Sequence, residues 1–250
     1  MRSSKTAARI TGVLFVLASI SAVLGVLLYD PLLHDPNFLL SGQTHTHRIM
    51  LGALFELILA SAAVGTAITL FPYLKRQDET LALGYVSFRV LEAMLIILGL
   101  VSLLSFLTLR DQFGAAPATH LPAFQTVSGL LLAVHDWTFL LGPNFMLGIN
   151  TLMCAWLLHQ SRLVPRSITR LGLVGGVLIL TAAVLELFGV ILQLSPWGVA
   201  LALPVALYEM VLAGWLIIKG FNATAVHALD IDQGRQDVRV QPRRPLYEPQ

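Results

Sequence analysis

Five charged side chains stand inside long apolar stretches of this chain: Glu56, Arg89, Glu92, Glu186 and Glu209. A charge held in hydrocarbon is costly, so each needs a partner, a cavity or a task. The chemistry open to them is ionic. Carboxylates shielded from bulk water take up protons or cations, and a guanidinium pairs with carboxylates. Arg89 and Glu92 are three residues apart, which puts them on one helix face where they can pair. A second group of reactive side chains lies between the apolar stretches: His34, His45, His47, His120 and His135, with Asp30, Asp35, Asp111 and Asp136. Neutral imidazoles and carboxylates can hold Zn²⁺ or Cu²⁺. His45, His47, His135 and Asp136 are the candidates for such a site, although a lone His-x-His pair is more often ordinary loop sequence. His135-Asp136 has two further readings, a helix cap and a proton relay toward the buried acids.

The elements that must position these groups are membrane spans. Charged residues make up 12% of the chain and hydrophobic residues 56%, with a mean hydropathy of +0.76; soluble domains carry about twice that charge. Six apolar blocks are long enough to cross a hydrocarbon core, which takes ~20 helical residues. They run Ala7–Tyr29, Ile49–Phe71, Leu81–Leu107, Trp137–Leu158, Leu171–Leu192 and Val199–Ile218. Lipid offers the backbone no hydrogen-bond partner, so these blocks must be helices. The fold expected is all-α, a polytopic bundle of six transmembrane helices over residues 1–221. Residues 222–250 lose the apolar pattern and read as a disordered cytoplasmic tail.

The first block follows Arg2, Lys5 and Arg9 and is too long for a removed signal, so it reads as an uncleaved span. Basic residues also set the orientation. Those three, Lys75 and Arg76, Arg162, Arg166 and Arg170, and Lys219 with the tail arginines all fall on one side. Only Arg48 and Arg110 fall on the other. The positive-inside rule then puts both termini in the cytoplasm, as a multi-pass protein of the bacterial cytoplasmic membrane. The net charge of +2 reflects this asymmetry and requires no nucleic acid. Before the fourth block, Phe124, Val127, Leu130, Leu131 and Val134 recur at helical spacing. They predict an amphipathic helix at the outer interface, or one overlong tilted span.

Depth sorts the charges. At ~1.5 Å per residue, Glu56 lies about 11 Å and Glu209 about 15 Å from the outer end of their spans. Glu92 lies about 17 Å from the inner end, and Asn144 about 11 Å from the outer side. Glu186 falls nearer the outer surface. The expected intramembrane polar cluster is therefore Glu56, Arg89, Glu92, Asn144 and Glu209. Each central charge costs roughly 2.5–3.5 kcal/mol to insert and each Leu, Ile, Val or Phe returns about 0.3–0.6. The third block has sixteen of those residues, enough for Arg89 and Glu92 with little surplus. Pro143 and Pro204 each free a backbone carbonyl within this zone. Ser61 with Gly65, and Gly172 with Gly176, sit at helix-packing spacing.

No phosphate-binding glycine loop, GxSxG, HExxH or CxxC occurs. Cys154 is the lone thiol. His135 and His159 stand at opposite ends of one block and cannot share a haem iron. No cofactor is expected.

Five stretches carry a resemblance: Ala7-Ala8-Arg9-Ile10-Thr11-Gly12-Val13-Leu14, the segment from Leu83 to Ala93, that from His135 to Pro143, Ser161-Arg162-Leu163-Val164-Pro165-Arg166, and Leu203-Pro204-Val205-Ala206-Leu207-Tyr208-Glu209. In this order the chain resembles the bacterial membrane-protein family called domain of unknown function 4386, over roughly Ala7 to Phe221. The resemblance implies six spans in the cytoplasmic membrane and no particular reaction. Three functional readings stay open. The first is a non-catalytic structural, regulatory or partner subunit, alone in the bilayer, as a homo-oligomer or with another membrane protein. The second is a proton- or cation-linked transporter of a small solute. The third is a membrane enzyme using the outer histidines and a metal. A cavity shared by the buried charges separates the second from the first.

Overall fold

The computed structural model of the chain describes residues 2–33, 46–113, 120–229 and 231. Seven α-helices and one π-helical turn account for nearly all of it. They are α1 (Arg2–Leu33), α2 (Thr46–Leu74), α3 (Glu79–Phe113), α4 (Leu121–Phe139), α5 (Leu147–Ser161), α6 (Arg166–Leu187) and α7 (Pro196–Ile218). The π-helical turn Leu140–Met146 joins α4 to α5. Among the described residues there is no strand. Six stretches of the described residues are long and apolar enough to cross a membrane; the fourth, Leu121–Ser161, takes in α4, the π turn and α5. The helix expected before span four is α4, and it runs into that span without a break.

Local sequence sets the ends. Asp78 accepts the amide of Leu81 at 2.9 Å and opens α3. Ser195 accepts the amide of Gly198 at 3.2 Å and opens α7, with Pro196 at its first position. Arg162 takes a left-handed conformation, φ 55°, which stops α5 ahead of Pro165. Sequence hydropathy carries span five on to Leu192, but α6 ends at Leu187 and Gly189 turns the chain at φ +68°. A left-handed turn of this kind suits glycine, which has no Cβ to clash.

Successive spans are antiparallel, so both ends of the transmembrane bundle's chain lie at one face, here the termini face. The main apolar core sits toward that face and joins α1, α2, α3, α5, α6 and α7 around Leu70, Tyr85, Leu158 and Leu212. Residues 223–229 are helical, and Leu229 is buried in this core. The core thus reaches past the sixth span; residues 230 and 232–250, most of the expected disordered tail, lie outside the described residues. A smaller core at the opposite face gathers Tyr29, Ile49, Leu103 and Phe106.

Close approach of α1 to its two neighbours shapes the site. Near the termini face, a Cβ on Gly12 would stand 2.7 Å from the carbonyl oxygen of Ala213, so α1 and α7 nearly touch there. α1 packs on α2 along its length, from Thr11 against Thr69 near the termini face to Gly25 against Gly52 toward the far face. Beyond the Gly12 contact, residues of α1 between 18 and 26 and of α7 between 202 and 210 border a common space.

Candidate functional site

Arg89 is the hub of the bundle. It sits about 15 Å along α3 from Glu79, with 2% of its surface exposed. Its Nη1 donates to Glu92 Oε2 at 2.9 Å and to Asn150 Oδ1 at 3.4 Å. Nη2 donates to Glu209 Oε1 at 3.3 Å, and Nε to Thr66 Oγ1 at 3.4 Å. The guanidinium carbon lies 5.8 Å from the ring centre of Phe15, within cation–π range. Five spans therefore converge on one cation. Asn150 also donates to Glu92 Oε2 at 2.7 Å and to its own helix at Met146 O, 2.8 Å. Glu92, 3% exposed, thus accepts from both Arg89 and Asn150. Side chains with two acceptor or donor functions are what a buried charge needs to keep its remaining hydrogen-bonding capacity occupied.

Glu56 stands apart from this network. Its Oε1 accepts the hydroxyl of Tyr29 from α1. Its Oε2 is buried with no hydrogen-bond partner. The ring of His135 packs edge-on against Tyr29 at 5.2 Å, and His135 Nδ1 lies 3.5 Å from Asp136 Oδ1. Asn144, on the π turn, donates to Glu186 Oε2 of α6 at 2.7 Å.

All five residues of the expected polar cluster border one cavity of about 510 Å³. Glu56, Arg89, Glu92, Asn144 and Glu209 come to it from α2, α3, the π turn and α7. The rest of its wall is mainly apolar and comes largely from α1 and α7. A second cavity, of about 560 Å³, lies toward the far face. Tyr29, His135, Asp136, Gln193 and Ser195 line it, and it shares Val26 and Phe139 with the first. These two side chains stand between a far-face vestibule and the central cavity.

Sequence reading missed two partners. Asn150, not Asn144, reaches Arg89; Glu186, set aside on depth, holds Asn144. Both were visible as polar residues in apolar runs. The histidine candidates are not assembled into a metal site among the described residues, where no group of three or more His, Cys, Asp and Glu side chains could hold an ion. His47 is exposed on α2, and His135 is buried beside Tyr29. His45 lies outside the described residues.

Six apolar spans around a buried ionic cluster define a multi-pass integral membrane protein. The chain belongs to the family described as a domain of unknown function (DUF4386), whose model matches residues 10–220. No curated protein and no solved structure matches it.

Proposed function

We propose that this protein is a proton- or cation-linked carrier of a small solute, with its binding site in the central cavity. The observation that carries this reading is the single cavity that Glu56, Arg89, Glu92 and Glu209 share. A bundle held together only by internal ion pairs has no use for such a space. The charge count points the same way. Three carboxylates border the cavity against one guanidinium, so protons or cations must make up the difference in a low-dielectric setting. The cavity volume lies within the ~300–1,000 Å³ typical of small-molecule sites. A π turn at Pro143 and a proline in α7, Pro204, flank it, and interrupted helices beside buried acids are a recurring transporter device.

The basic residues on the termini face support a cytoplasmic location for both termini, in a bacterial plasma membrane. The far-face vestibule then opens to the outside.

Purified protein in liposomes loaded with a pH-sensitive dye tests the reading. With a panel of small solutes added in turn, an imposed pH gradient should collapse faster than in empty vesicles for at least one of them, and Glu209→Gln should bring the rate back toward that background. Background rates in the unaltered protein with every solute of the panel, under proton, sodium and potassium gradients, would overturn it.

A further inference from the structure

The central cavity has a charge preference and a doorway, and together they name a ligand class. Consider charge first. The positive group at the cavity is fully engaged: Glu92, Asn150, Glu209 and Thr66 take up the nitrogens of Arg89. An anionic ligand would have to break that network. Glu56 is different. It is 6% exposed, it borders the cavity, and its Oε2 has no hydrogen-bond partner. A buried carboxylate oxygen with no donor is a strong site for a positive charge. The aromatic ring of Phe139 borders the same space and can add a cation–π contact.

The wall and the doorway give the rest. Away from Glu56 the lining is mostly apolar, with Val23, Leu59 and Val205 among it, so the ligand carries an apolar body. On α1, Ile20 and Val23 border the cavity yet are 50% and 59% exposed. On α7, Ala206 and Met210 also both border it and face outward. The cavity therefore opens through the side of the bundle, between the stretches of α1 and α7 that line it beyond the Gly12 contact. That side of a membrane bundle faces acyl chains, not water.

We propose that the cavity binds an amphipathic organic cation, which enters from the lipid between α1 and α7 and places its positive charge against Glu56. This rests on the reading of the cavity as a solute site and adds the solute's class and route.

Tetraphenylphosphonium is a suitable probe, and tetraphenylborate has the same shape with the opposite charge. Binding of each, measured separately to the full-length protein in lipid nanodiscs with empty discs subtracted, should be saturable for the cation alone. Glu56→Gln should weaken cation binding by at least ~10-fold, since it removes the buried counter-charge. Ala206→Phe, at an outward-facing position, should slow association by narrowing the doorway. If Glu56→Gln does not fold, the contrast between the two probes in the unaltered protein still decides. Absence of saturable cation binding, equal binding of the borate, or an unchanged Glu56→Gln would overturn the ligand class. Unchanged association in Ala206→Phe would overturn the lateral route. The dye-loaded liposome experiment uses neither probe. Proton flux without cation binding would sink this inference and leave the carrier standing; cation binding without flux would do the reverse.

Discussion

Arg89 carries more of the bundle's ionic structure than any other side chain described. Removing it leaves two carboxylates, Glu92 and Glu209, facing each other without their cation. Breaking a buried pair from one side costs about 3–5 kcal/mol, so Arg89→Met should lower thermal stability sharply. Arg89→Lys keeps the charge but not the planar fork that reaches four partners from four spans. Thermal unfolding in one detergent should therefore rank the unaltered protein above Arg89→Lys, and that above Arg89→Met. If Arg89→Met matched the unaltered protein, the hub would carry no stability. Part of this hub was legible in the sequence. The three-residue spacing of Arg89 and Glu92 is a local property of a helix, and local geometry can be read from one segment. Asn150 was not legible as a member. Which of two asparagines in one span faces α3 depends on the helical phase, and the π turn at Leu140–Met146 changes that phase between α4 and α5. Glu186 was misjudged as a partner for a related reason. Depth along its own helix says nothing of a neighbouring side chain that reaches out to it.

At the scale of elements, six spans could be read directly, because lipid leaves a long apolar block no alternative to a helix. Their packing could not be read in the same way. Gly172 and Gly176 have packing roles, and Gly172 lies against the ring of Tyr208. Yet Gly12, the glycine that lets α1 and α7 meet, is marked in the sequence only by Ala8 four residues before it, a spacing too common in apolar helices to single it out. Two glycines test this contact against each other. A Cβ at Gly12 would press on the backbone of α7 at 2.7 Å, whereas one at Gly214 meets nothing within 4 Å. Gly12→Ala should destabilise by about 1–3 kcal/mol through overpacking. Gly214→Ala, in open space within a helix, should be neutral or stabilise by up to about 1 kcal/mol. Unfolding of the two variants side by side gives the comparison, and equal effects would mean that α1 and α7 can part without cost. The contact also acts as the fixed end of the opening between these helices, so Gly12→Ala should alter access to the cavity as well as stability.

At the scale of the whole molecule, the direction in which the bundle faces decides what each face can exchange. The two faces differ in chemistry as well as charge. One bears the basic residues and the close α1–α7 contact; the other bears the vestibule with His135 and Asp136. If the basic face is cytoplasmic, Glu56 communicates through Tyr29 and His135 with the outside. A carrier would then load its coupling ion from there. Labelling settles the direction, because Cys154 is buried and should leave little background with a membrane-impermeant maleimide. Gln77 lies in the turn between α2 and α3, at the basic face. Val190 lies in the turn between α6 and α7 at the other, and is well exposed. In intact cells Val190→Cys should be labelled and Gln77→Cys should not; in inverted membrane vesicles the pattern should exchange. The opposite result would turn the bundle over. The vestibule would then face the cytoplasm, the opening between α1 and α7 would lie in the inner leaflet, and an amphipathic cation would be taken up from the cell's own side of the membrane.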